Sequence, residues 1–128
     1  MSKPIIDTSV LIDFLRGKAP AVGYLGNTPA AGKHCTHLIV AAELLAGSRN
    51  KLEMNVIDSF LASFELVIPN ESDGLAALSL YRNFHLSHNV DWPDCQIAAT
   101  ALRLGNEVVT LNVKHYSAFP GLKVVKPY

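Results

Sequence analysis

The sequence predicts an α/β domain with a central, mainly parallel sheet and helices on both faces, a three-layer α/β/α sandwich. Three observations predict it. Short apolar runs (PII, FELVI, VVTLN) alternate with longer segments that place apolar residues at helical spacing. Most of the helical segments carry start or stop residues of their own. No internal repeat, low-complexity tract or linker interrupts the 128 residues, so residues 1–128 read as one domain, long enough for a real core.

Taken in order, Pro4, Ile5 and Ile6 form the first strand candidate. Ser9 is placed to cap a helix over 10–16 that Gly17 closes, and Asp13 and Arg16 pair on its wetter side. Ala19 to Gly26 is a second short helix, and NTPAAGK is turn chemistry. His34 and His37 flank a strand-to-helix turn, where Thr36 caps a helix through LIVAAELLAG that ends at Gly47. A helix follows over 50–63. FELVI is then a strand ending at Pro69, and Asn70 or Ser72 starts a long helix to about His85. SHNVDWP is a loop. Pro93 suits the first turn of the helix DCQIAATALRLG, which Gly105 stops. VVTLN is the next strand, and LKVVKP is a weak edge strand.

Composition excludes several classes. Formal net charge is zero, so no global basic field announces nucleic acid, although a local groove is compatible with it. The two cysteines, Cys35 and Cys95, belong to no CxxC pair, which suits a reducing cytoplasm. The start MSKPIID lacks a signal-peptide core, and LIVAAELLAG is too short to span a bilayer. A cytoplasmic protein with no membrane association is expected. His34 with His37, and His85 with His88, lack a third ligand nearby in sequence, so neither pair reads as a zinc site.

Three carboxylates stand out. Asp7 follows the first strand, where an isolated charge would be costly. Glu43 has Ile39, Val40, Ala46 and Gly47 as helical neighbours, an apolar face. Asp94 shares a stripe with Ile97, Ala98 and Ala101, although an acid in a first helical turn also favours the macrodipole. Asp91 reads as a cap or a residue behind the ligands. In parallel sheets the ligand site lies beyond the carboxyl ends of the strands, the edge to which both Asp7 and Asn112 are assigned. Acids converging there repel, and a divalent cation resolves the conflict. Oxygen ligands suit Mg²⁺ or Mn²⁺, which polarise a phosphodiester and acidify a bound water.

These segments resemble a PIN domain, and specifically the VapC-type toxin ribonucleases of toxin–antitoxin pairs. The pieces that carry the resemblance are IIDTSVLIDFLRG, VAAELLAGSR, DCQIAATALRLG and VTLNVKHYSAFPGLKV, which together span nearly the whole chain. In that family the fold is an α/β/α sandwich with a parallel sheet. The resemblance implies that Asp7 and Asp94 are the main metal ligands, that Glu43 completes the cluster and helps orient the attacking water, and that Asn112 holds the fourth position of the pattern, bonding a bound water or the phosphate. Asn112 departs from members that carry an acid there, so a single tight Mg²⁺ is implied, with a second recruited by substrate. Thr8, Ser9 and Thr110 would supply hydroxyls behind the ligands. The reaction would be hydrolysis of RNA phosphodiester bonds.

The resemblance also implies a homodimer and a cognate antitoxin whose C-terminal segment lies in the groove, docked on the apolar helices at 10–15 and 38–46. Arg16, Lys18, Arg49, Lys51 and Lys114 would form a basic rim for RNA phosphates. Trp92 is read as a stacking residue for a base or as a core or loop anchor. His115 and Tyr116 receive no role. Two other functions compete: a catalytically silent PIN-type module that binds RNA or antitoxin, and an Asp7-dependent phosphatase, disfavoured by Ser9 where a second Asp is expected.

Overall fold

The computed structural model describes residues 3–27, 32–105 and 107–128. Part of the turn read over NTPAAGK lies outside them. Among the described residues the elements run β1 (Ile5–Ile6), α1 (Thr8–Leu15), α2 (Ala19–Gly26), β2 (Cys35–His37), α3 (Leu38–Ala46), α4 (Lys51–Leu61), β3 (Glu65–Val67), α5 (Glu71–His88), α6 (Trp92–Leu104), β4 (Val108–Val109), α7 (Val113–Tyr116) and β5 (Val124–Val125). The strands form one sheet in the order β3-β2-β1-β4-β5, with every neighbouring pair parallel. Helices flank it, as the sandwich requires.

The strand order explains where a site can form. From β1 the chain steps to β2 and β3 on one side, then returns across the sheet to β4 and β5 on the other. The order therefore reverses between β1 and β4, and a crevice opens at their carboxyl ends. The residues leaving those two strands are Asp7 and Thr110.

β1 is central and fully apolar: Ile5 and Ile6 are at most 1% exposed. Val10, Leu11, Val40, Ile97, Ala98, Val108 and Val109 pack into the same buried cluster. Ile97→Val removes one methylene from this close-packed region, and a loss of about 1 kcal/mol in unfolding free energy is expected in denaturant titration.

Local signals place most boundaries. Gly17 and Gly105, at φ +74° and +66°, take the left-handed conformation that ends α1 and α6. Asn70 caps α5 through a reciprocal box with Asp73, whose buried carboxylate also receives Arg103 at 2.7 and 2.9 Å. α5 runs three residues past His85 and closes on Asn89 at φ +51°.

Several expectations are corrected. α1 begins at Thr8, so Ser9 lies inside the helix and Asp7 holds the cap position. Ser9 Oγ instead accepts the Leu111 amide at 3.1 Å, joining α1 to the exit of β4. Thr36 belongs to β2 and donates to the Ile6 carbonyl at 2.6 Å; the cap of α3 is His37, whose Nδ1 accepts from the Ile39 amide. Asp13 does not pair with Arg16. Its partners are Lys18 at 3.5 Å and the Tyr128 hydroxyl at 3.0 Å. The VVTLN strand is shorter than expected: β4 stops at Val109, and Asn112 stands in the turn before α7.

Candidate functional site

At the β1–β4 crevice lies an open groove of about 390 Å³. Asp7, Thr8, Ser9, Glu43, Asp91, Asp94 and Asn112 all line it, together with Ile12, Asp13, Arg16, Leu111 and His115. The three carboxylates singled out from the sequence, from the junction of β1 and α1, from α3 and from α6, thus share one groove.

Asp7 is 6% exposed and accepts a hydrogen bond from Thr110 Oγ1 at 2.8 Å. Thr110 is itself fixed by accepting the Asn112 amide at 3.0 Å. Asp94 sits in the first turn of α6, with Oδ1 receiving the hydroxyl of the fully buried Tyr116 at 3.2 Å. Its other oxygen, Oδ2, is buried and has no hydrogen-bond partner among the described residues. Burial first, then the Asp7 charge, push the Asp94 carboxyl up to about 6, against the opposing pull of His115 and Tyr116.

Glu43 differs from expectation. As a residue it is exposed rather than packed on an apolar face. Its carboxyl end turns toward the groove and accepts a long 3.4 Å bond from Thr8. Partial burial, followed by the Asp7 charge, raises its pKa above the ordinary glutamate value, while the Thr8 bond opposes the rise. Both shifts have the same causes in the same order, burial first and the Asp7 charge second. The donor set is carboxylate oxygen in an open groove, and one oxygen is buried without a hydrogen-bond partner among the described residues. That arrangement fits a divalent cation.

Asp91 stands at the cap position of α6 without a side-chain capping bond, so its carboxylate is available to the groove. Asn112 lines the groove as an exposed residue. Two expected substrate residues lie outside the lining. Trp92 packs edge-on against Tyr81 at 5.8 Å and remains 39% exposed, and Lys114 is exposed on α7. Of the basic rim, Arg16 lines the groove, whereas Arg49 is taken up by Glu53 and Lys18 by Asp13. Of the other histidines, His34 contacts the Asn27 carbonyl and His37 the Thr100 hydroxyl, while His85 and His88 pack on Tyr81 and Phe84, His85 with a buried Nδ1 that has no hydrogen-bond partner among the described residues.

Sequence reasoning missed Tyr116 and His115. Both sit on α7, a single turn following Asn112, and their relation to Asp94 is purely tertiary. The available signal was spacing: residues three and four after Asn112 return to the side that faces the groove.

Residues 5–118 match the PIN domain family. The chain belongs to that family. Ribonuclease VapC19 of Mycobacterium tuberculosis is 31% identical over 93% of this chain and 96% of its own length. Ribonuclease VapC10 of the same organism is 33% identical over 93% of this chain and 90% of its own. These relatives place the PIN domain in the VapC-type branch. Among solved structures, a toxin–antitoxin complex from Klebsiella pneumoniae superposes with TM-score 0.80 at 25% identity, covering 98% of both chains. DNA-bound VapBC from Salmonella typhimurium gives TM-score 0.81 at 20% identity over the whole of both chains, a likeness of fold.

Proposed function

We propose that this PIN domain is a Mg²⁺-dependent endoribonuclease that acts as the toxin of a toxin–antitoxin pair. The observation that carries the reading is the meeting of Asp7, Glu43 and Asp94 in one groove at the sheet's switch point, with a buried Asp94 oxygen that has no hydrogen-bond partner among the described residues. The relatives named as ribonucleases support the same chemistry.

Asp7, Asp94 and Glu43 are assigned as the metal ligands, directly or through water. When bound, Mg²⁺, or Mn²⁺ in its place, supplies charge that polarises the scissile phosphodiester and acidifies a water. The chain's own residues do the rest. Thr110 holds Asp7 in one orientation, and Tyr116 does the same for Asp94. Glu43 orients the attacking water and takes its proton, a role that its raised pKa suits. Thr8 steadies Glu43, Ser9 fixes the β4 exit through Leu111, and Asn112 bonds the phosphate or a water on it. Asp91 lies behind this set, and Arg16, Lys114 and Trp92 contact the RNA at its edges.

The proposal extends to a single catalytic domain over residues 1–128, a homodimer, and a cognate antitoxin that fills the groove. The Klebsiella pneumoniae structure that this chain resembles is a toxin–antitoxin complex, which supports the last point. A cytoplasmic location is proposed with it; among the described residues no helix is long and apolar enough to cross a membrane. The exposed Asn112, which leaves one acid fewer in the groove, favours the silent binding module as a second reading.

One assay tests both. Purified protein is incubated with structured and single-stranded RNA in Mg²⁺, in Mn²⁺ and in EDTA. Cleavage that requires the cation is expected. Binding of RNA without cleavage under every condition would select the silent module, and cleavage undiminished by EDTA would remove the metal from the mechanism.

A further inference from the structure

The lining of the groove is dominated by one sign of charge. It holds five carboxylates, Asp7, Asp13, Glu43, Asp91 and Asp94, against one permanent cation, Arg16. Asp13 takes no part in the metal set, although its side chain is only 13% accessible. It lies three residues before Arg16, the cap residue that ends α1, at the spacing where an acid and a base pair along a helix face. That pair is absent, and both oxygens of Asp13 are engaged elsewhere. Oδ1 faces Lys18 Nζ at 3.5 Å, and Oδ2 accepts the Tyr128 hydroxyl at 3.0 Å. Arg16 is left with no ion-pair partner among the described residues, at the wall of the groove. The sheet brings Tyr128 to this place. β5 lies beside β4, with Val125 opposite Val109, and the Thr110 amide donates to the Val125 carbonyl at 3.0 Å. The chain leaving β5 thus starts beside the residue that orients Asp7, and three residues later its hydroxyl meets α1.

We infer that Tyr128 is a positioning residue that holds Asp13 away from Arg16 and so keeps the Arg16 guanidinium free to bind a phosphate of the RNA backbone. The inference rests on the reading of RNA as the substrate. A guanidinium offers parallel N–H donors that suit a phosphate and a carboxylate equally well. Beside five acids, an uncommitted arginine needs a reason, and the tail supplies it. Freed from Tyr128, Asp13 would compete with the phosphate for Arg16 from one turn away. Lys18, on an exposed stem and at a longer distance, is the weaker restraint on Asp13. Burial first, then the bond to Asp13 and the Asp13 charge, raise the Tyr128 hydroxyl to about 12, so it stays a donor throughout the neutral range.

The test separates this inference from the nuclease reading by measuring binding and cleavage independently. Binding of a hydrolysis-resistant, 2′-O-methyl single-stranded oligoribonucleotide is followed by fluorescence anisotropy in Mg²⁺ over a range of salt, and cleavage of unmodified RNA is followed alongside. Arg16→Ala should weaken binding about 10-fold and reduce the slope of log affinity against log salt by about 1, the signature of one lost phosphate contact. Tyr128→Phe keeps the ring and loses the bond to Asp13; a loss of about 3-fold is expected, the size of an exposed ion pair. Adding Asp13→Asn to Tyr128→Phe should restore wild-type affinity. Tyr128→Phe should have no further effect in the Arg16→Ala background, which a merely structural role of the tail would not predict. Unchanged affinity and salt slope in Arg16→Ala would overturn the phosphate contact while leaving the nuclease reading in place. A Tyr128→Phe loss that persists without Arg16, or that Asp13→Asn does not restore, would overturn the positioning role. Wild-type protein that neither binds nor cleaves RNA would remove the inference and the nuclease reading together.

Discussion

Asp7→Asn is expected to lower Mg²⁺-dependent RNA cleavage by more than about 100-fold while the fold remains intact. Substitution of a residue behind a metal ligand already costs about 10- to 100-fold, and a direct ligand should cost more. Asp7 is the acid that couples to both of the others: its charge raises the pKa of Glu43 and of Asp94. Asparagine preserves the shape and still offers a carbonyl oxygen to Thr110, which now donates at 2.8 Å. Circular dichroism melting should therefore report a folded protein of at least wild-type stability. Cleavage rates measured side by side decide the matter, and full activity in Asp7→Asn would place the chemistry outside this groove.

The second large effect is on stability and runs opposite to activity. Asp94→Asn is expected to stabilise the metal-free protein by about 1–2 kcal/mol at neutral pH. The Asp94 carboxyl rises from its ordinary 3.8 to about 6, so between those values the folded state holds a proton that the unfolded state has released. Stability contributed by this group is therefore lost as pH climbs from about 4 to about 6, and the full penalty persists above. A rise of that size corresponds to at most about 3 kcal/mol, and solvent in the open groove screens part of it. Asparagine carries no such penalty and keeps an oxygen for the Tyr116 hydroxyl.

His37 works in the other direction. Burial lowers its pKa, so it adds stability that fades as pH falls below its unfolded value near 6.5. The difference between wild type and Asp94→Asn, measured by denaturant titration in EDTA from pH 4 to 8, isolates the acid. The two should converge near pH 4 and separate toward pH 7. Added Mg²⁺ should close the gap by stabilising wild type alone. A difference that widens toward low pH would contradict the assignment.

How much of this was legible depends on the range over which each feature is encoded. Caps and stops are local, so the Asn70 start, the Gly17 and Gly105 ends and the edge position of Val124–Val125 could be read from a few residues. β2 was harder. Cys35-Thr36-His37 is three residues long, and two of them are polar yet fully buried. Thr36 and His37 tolerate burial because Ile6 and Thr100, each at least 30 positions away, receive their hydrogen bonds. The acids were legible because each contradicts its surroundings. Glu43 was the partial failure: its apolar helical neighbours are real, but the groove is open on its side. His115 and Tyr116 were missed because only their spacing from Asn112 marks them, and their contacts with Asp94 are tertiary.

The bonds that join Ser9 to Leu111 and Thr110 to Asp7 span about a hundred positions each. Their consequence concerns time rather than geometry. β1 is synthesised well before one of its two neighbours in the sheet, β4, which follows it in the chain by six helices and two strands. Until then Asp7 has no Thr110 to orient it, and Asp94 has no Tyr116. The acidic groove is therefore assembled only after β4 and α7 have been synthesised. A nascent or prematurely terminated copy that stops before β4 lacks the Thr110 and Tyr116 bonds that orient Asp7 and Asp94.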